Sequence, residues 1–158
     1  MPIDRQEFRR VLSHFAAGVT IVSTVGDDGK PYGLTATAFT SVSLEPPLVL
    51  VCIDKAAESY PHFHSSRVFA VNFLGADHEH LSRRFAVSGG DKFKYLVVSR
   101  GVTGAPLLAE ALGHLECRTV DIFEGGDHTI FVGQVEAGDA HDGNPLLYFR
   151  GAYRRISR

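Results

Sequence analysis

The chain has 158 residues, 44% apolar and 22% charged, with 16 basic against 18 acidic side chains and a formal charge of −2. That length fits one domain around one core, and the charge balance speaks against nucleic acid as a partner, since such complexes rest on surplus Lys and Arg neutralising phosphates. The longest apolar runs, such as residues 48–53, fall far short of the roughly 20 residues of a membrane span, and the charged start Met1-Pro-Ile-Asp-Arg-Gln-Glu does not read as a secretory leader, so a cytoplasmic protein with no membrane partner is expected.

Asp4 followed by Glu7 has the form of a capping box, and Phe8, Val11, Leu12, Phe15 and Ala16 then recur on one helical face, which predicts a helix from residue 5 to 16. From Val19 the period becomes two: Val19, Ile21 and Ser23 alternate with Thr20, Val22 and Thr24. A turn at Gly26-Asp27-Asp28-Gly29-Lys30 and a return through Tyr32 to Phe39 make a β-hairpin. Leu48 to Ile53 reads as a buried strand, Ala57 to His64 as a short helical stretch and Val68 to Phe73 as a further strand. Asp77 can cap a helix with Leu81 and Phe85 on one face and Arg83 and Arg84 elsewhere, stopping before Gly89-Gly90. Residues 88 to 106 lack a clean period and suit a loop or substrate lid. A second hairpin then flanks Glu124-Gly-Gly-Asp-His128, and Pro145 to Ile156 supplies a last strand.

At least six strands and three modest helices joined by hairpins predict a mainly β chain, an antiparallel barrel in a single domain over 1–158. No Gly-x-Gly-x-x-Gly follows a strand, which gives a doubly wound dinucleotide fold no support. Cys52 and Cys117 lie in apolar runs without Cys-x-x-Cys spacing and read as reduced thiols. His62-Phe-His64 and His78-Glu-His80 have a spacing of two, which on a helix points side chains to opposite sides, so no metal is expected.

The most informative segment is Thr35-Ala-Thr-Ala-Phe-Thr-Ser-Val-Ser-Leu-Glu-Pro-Pro47. Thr35, Thr37, Thr40, Ser41 and Ser43 offer donors and acceptors, Ala36 and Ala38 allow close approach to the backbone, and Pro46-Pro47 stiffens the turn before the next strand. Such a surface suits a flat heterocycle with a polar edge; hydroxyls that merely satisfy neighbouring backbone are the competing reading. Together with Arg83-Arg84-Phe85, Gly90-Asp91-Lys92-Phe93, Gly126-Asp127-His128 and a terminal Tyr-Phe-Arg-Gly-Ala-Tyr run, the segment resembles the flavin reductase family, and the likeness runs from Phe8 to Ile156.

The resemblance implies a split β-barrel of the FMN-binding, Greek-key antiparallel type. It also implies hydride transfer from NADH, less readily NADPH, to FMN or FAD, and delivery of reduced flavin to a separate flavin-dependent monooxygenase. Because the cofactors carry the reactive atoms, few catalytic side chains are needed. The family likeness assigns flavin contacts to Thr35, Ala36, Thr37, Ala38, Ser41 and Cys52, with Ala38 able to contribute only its backbone. It assigns the flavin phosphate to Asp54, Lys55 and Ser59, with Arg84 beside Phe85 as an anion contact. Lys92 and Phe93 would border the flavin and nicotinamide, Tyr153 would add aromatic surface, and His128 would orient the nicotinamide. It further implies a homodimer. A flavin-binding barrel of the same kind that is not a reductase, holding FMN as a sensor, carrier or oxidase group, stands as the alternative.

Overall fold

The computed structural model describes residues 1–157. Asp4 starts the first helix, α1 (Arg5–Leu12), by accepting from the amides of Gln6 and Glu7 through one carboxylate oxygen. Glu7 does not close the capping box; it pairs with Arg10 instead. A short strand, β1 (Ala17–Gly18), leads into the hairpin β2 (Thr20–Val25) and β3 (Pro31–Ala36), followed by β4 (Phe39–Ser43) and β5 (Leu48–Asp54). After α2 (Tyr60–Ser66) come β6 (Val68–Phe73) and α3 (Glu79–Phe85). The small pair β7 (Val98–Arg100) and β8 (Pro106–Leu108) precedes the long hairpin β9 (Gly113–Gly125) and β10 (His128–Ala140), and the described chain closes with β11 (Leu147–Phe149) and β12 (Ala152–Arg154).

Seven strands form one antiparallel sheet in the order β3-β2-β6-β9-β10-β5-β4. Its two edge strands, β3 and β4, are separated in sequence only by Thr37 and Ala38. Three peptide units reach about 11 Å at most, so the two edges must meet and the sheet must curl into a barrel. No ladder joins β3 to β4, which leaves the barrel split there, with its strands connected out of sequence order in Greek-key fashion.

The interior is filled by Val22, Val51, Ile53, Phe63, Phe69, Val71 and Phe131. A second core lies outside the sheet, where Val19, Ile21, Leu74, Leu81, Phe85, Phe93 and Leu146 meet. This explains a departure from the period-two reading of β2: Thr20 to Thr24 are all buried, because one face lines the barrel and the other is roofed by α3 and β8. The hydroxyls on that strand are spent internally, Thr20 on the Ala36 carbonyl and Ser23 on that of Pro106.

Three further expectations needed correction. The first helix ends at Leu12, since residues 13–15 only form turns, and none of its side chains is buried. His78, not Asp77, precedes α3, and Asp77 reaches Arg155. The predicted last strand is two short strands with Arg150 and Gly151, both at positive φ, forming a two-residue turn between them.

Candidate cofactor site

The loop Gly126-Asp127 joins β9 to β10 with positive φ only at Gly126, the pattern of a type II′ turn, whose twist suits a tight hairpin. It sets His128 directly opposite Asp54 of β5. Along β5, Val49, Val51 and Ile53 point inward, so Cys52 and Asp54 share the outer face with His128 and Ile130. His128 Nδ1 lies 2.7 Å from Asp127 Oδ1, and that contact holds the Asp127 carboxyl below its ordinary range. The imidazole is half-exposed, with 40% of its side-chain surface accessible. Lys55 donates its amide to the Asp127 carbonyl and pairs its ammonium with Glu124, which raises the lysine pKa. The Cys52 amide donates to the Ala38 carbonyl, tying the Thr/Ser segment to this end of the barrel, and burial pushes the Cys52 thiol up.

From Asp54, whose carboxylate accepts the Ala56 amide, the chain passes Glu58 to Ser59 at the start of α2. Here a pocket of about 610 Å³ opens between the β2–β3 turn, this loop and the Gly90–Phe93 segment. Ser59 Oγ donates to the Gly33 carbonyl at 3.1 Å, and Lys92 Nζ approaches the same carbonyl at 3.5 Å and that of Phe85 at 3.3 Å. Burial lowers the Lys92 pKa, partly opposed by the charge of Glu58. The Arg84 guanidinium donates to the carbonyls of Lys92 and Lys94, pinning the loop that carries Lys92.

A third group sits where β3 meets α3 and β12. Thr35 Oγ1 donates to the Ser82 carbonyl at 2.6 Å, and the Ser82 and Tyr153 hydroxyls lie 2.6 Å apart. Arg83 covers the Tyr153 ring, its guanidinium carbon 5.0 Å from the ring centre.

The sequence-predicted residues thus fall into three chain-linked clusters. Cys52, Asp54, Lys55 and His128 share one end of β5 and β10; Ser59, Lys92 and Phe93 line the pocket; Thr35 and Tyr153 are joined through Ser82. Thr37 and Ala38 are exposed in the link between the edge strands, and Ser41 is exposed on β4. Several roles change. The ring of Phe85 is buried, 1% exposed, and meets Phe93 edge-on, so only its main chain could face a ligand. Thr35 commits its hydroxyl proton to Ser82 and Ala36 is buried, its carbonyl taken by Thr20. Lys55 pairs with Glu124, Arg84 donates to two loop carbonyls and Lys92 to the carbonyls of Gly33 and Phe85, and of these three cations Lys92 is the one that lines the pocket. Sequence reasoning did not single out Lys30 and Tyr32 at the pocket, nor Ser82; Lys30 read as a turn residue and Tyr32 as the start of the returning strand, and only the fold brings them beside Lys92.

Residues 12–157 match the family described as flavin reductase like domain. The chain is 47% identical to the reductase component of 4-nitrophenol 4-monooxygenase/4-nitrocatechol 2-monooxygenase of Rhodococcus opacus, over 96% of this chain and 81% of that relative. It is 42% identical to an NADH-dependent FAD reductase of Streptomyces globisporus, over 99% and 88% of the two chains. Among solved structures, the NADH:FAD oxidoreductase of Streptomyces globisporus C-1027 in complex with NAD and FAD fragments superposes with a TM-score of 0.91 at 42% identity, over 98% of this chain and 93% of that one. A nitrilotriacetate monooxygenase component B homolog from Mycobacterium thermoresistibile superposes with a TM-score of 0.93 at 37% identity, over 98% and 87%. With a family match across nearly its whole length and the split barrel in place, the chain belongs to the flavin reductase family.

Proposed function

We propose that the chain is an NADH-dependent flavin reductase, the reductase component of a two-component monooxygenase system, which reduces FMN or FAD and releases it to a separate oxygenase. The observation that carries this reading is the end-to-end similarity to proteins named for that activity, one of them solved with NAD and FAD fragments. The residues present suit a flavin nucleotide: exposed hydroxyls on Thr37 and Ser41 for a polar ring edge or ribityl chain, and the Lys92 ammonium for phosphate. When bound, the two cofactors supply the redox chemistry, a hydride passing from nicotinamide to flavin. The chain's own part is to bind, orient and shield. His128, fixed at one ring nitrogen by Asp127 and partly exposed, has no hydrogen-bond partner at the other among the described residues, and there it can orient the nicotinamide amide or a phosphate by a hydrogen bond.

The same reading includes a homodimer in the cytoplasm. Its support is α1, whose Phe8, Val11 and Leu12 are about half exposed and whose trailing Phe15 is 81% exposed, an apolar stripe that a second subunit would cover. Among the described residues no helix is long and apolar enough to cross a membrane. Aerobic assays with purified protein test the activity. NADH should be consumed only when free FMN or FAD is added, at a rate that saturates with flavin; NADH loss independent of added flavin, or none at all, refutes it.

A further inference from the structure

Three carboxylates crowd the end of the barrel that carries His128. Asp54 lies directly opposite it on β5, Asp127 precedes it and lies against its Nδ1, and Glu124 of β9 stands opposite Thr129, the next residue of β10. Asp54 accepts the Ala56 amide and Asp127 holds the imidazole, whereas Glu124 has the Lys55 ammonium as its only hydrogen-bond partner among the described residues. Against these carboxylates stand Lys55 and, from α1, Arg5, whose charge reaches Asp127. The base of Lys55 is fixed, its amide donating to the Asp127 carbonyl at 3.0 Å, but its ammonium rides on a flexible stem and has three donors, of which Glu124 takes one. Glu124 therefore claims the charge of Lys55 more than its bonding capacity, and the pairing raises the lysine pKa. The pair is open to solvent, with 37% of the Lys55 and 73% of the Glu124 side chain accessible, and ion pairs of this kind are weak and readily exchanged.

Flavin nucleotides and NADH all carry phosphate. A phosphate that reaches His128 comes beside Lys55, and to gain its charge it must draw the ammonium away from Glu124 while entering a region where carboxylates outnumber fixed cations. We infer that Glu124 is an affinity-setting residue, whose carboxylate competes with a cofactor phosphate for Lys55 and keeps cofactor binding loose. The inference rests on the reductase reading above and deepens it, since a chain that hands reduced flavin to a separate oxygenase has to let go of it in every cycle. A carboxylate that merely supported Lys55 would strengthen cofactor binding; a competitor weakens it, so the sign of the effect decides.

Glu124→Gln removes the charge at nearly constant size, and the exposure of the residue leaves the fold intact. At low ionic strength, fluorescence titration should give FMN about two- to fivefold tighter binding to this variant than to wild type, the range an exposed ion pair can return. Riboflavin, which lacks the phosphate, should bind both alike. If the contested phosphate belongs to the nicotinamide nucleotide, FMN affinity stays unchanged and the same gain appears for oxidised NAD, with nicotinamide riboside as the phosphate-free control. In a Lys55→Ala background Glu124→Gln should add nothing, because the contested charge is gone. Weaker or unchanged binding of both FMN and NAD in Glu124→Gln, an equal gain for the phosphate-free controls, or a gain that persists without Lys55 overturns the inference. Reduction of flavin by NADH is read separately on the wild type. A protein that shows the gain but never reduces flavin retains the competition and refutes the reductase reading; one that reduces flavin with affinities indifferent to Glu124 retains that reading and loses the inference.

Discussion

At the scale of single residues, the sequence shows which side chains can donate or accept, but not which of them the fold leaves free. Thr35, Arg84 and Lys55 look alike on paper as free donors; the fold spends the first on Ser82, the second on two loop carbonyls and the third on Glu124. Such pairings depend on which segments the barrel brings together and leave no local pattern. His128 is different, because the Gly126-Asp127 turn that aims it is written in adjacent residues. His128→Ala should therefore leave the thermal midpoint and flavin affinity nearly unchanged while slowing anaerobic flavin reduction by one to two orders of magnitude, roughly 1.4–2.7 kcal/mol of lost transition-state stabilisation. A normal reduction rate in single-turnover experiments would remove His128 from the site. Lys92 offers a test by pH. Burial lowers its pKa in the folded chain, so folding releases a proton in the interval between the folded value and the ordinary lysine value. The cost of the buried charge is felt in full below that interval and is relieved as pH rises through it. The unfolding free energy of the wild type should gain on that of Lys92→Met as pH climbs toward the ordinary lysine value; parallel curves would show that Lys92 is not desolvated.

At the scale of elements, strands with long apolar runs were legible almost to the residue, as β6 (Val68–Phe73) and β5 (Leu48–Asp54) show. β2 was legible as a strand but not as one buried on both faces, since its outer face is covered by α3 and β8 from far along the chain. Gly133 of β10 belongs to the same class of hidden constraint. A Cβ there would stand 2.5 Å from the Phe69 ring and 2.7 Å from Cys117 Cβ, beside a register shift between Val132 and Gly133. Gly133→Ala should cost about 1–3 kcal/mol through overpacking, read as a lower denaturant midpoint with an unchanged m-value. An unchanged midpoint would mean that β10 has room to shift. In the β11–β12 turn, Arg150 occupies a left-handed conformation, φ 51°, that glycine adopts freely. Arg150→Gly is expected to stabilise by a few tenths of a kcal/mol to about 1 kcal/mol in thermal unfolding.

At the scale of the whole molecule, the barrel could be anticipated from hairpins and the lack of a dinucleotide fingerprint, while its closure depends on the two-residue link between β3 and β4, whose meaning emerges only once the strand order is known. The exposed stripe on α1 reads in sequence as a helix face destined for the chain's own core, yet that core is complete without it. Sedimentation at micromolar concentration should show a dimer, and Phe8→Glu with Leu12→Glu should shift it toward monomer; a wild-type monomer would contradict the assembly. The central claim, hydride transfer from NADH to flavin on this barrel, is tested most directly by anaerobic stopped-flow mixing of the flavin-loaded protein with NADH. Rapid single-turnover bleaching of the oxidised flavin band, faster than for free flavin with NADH, is the predicted result. A flavin that binds and stays oxidised with both NADH and NADPH would contradict the account.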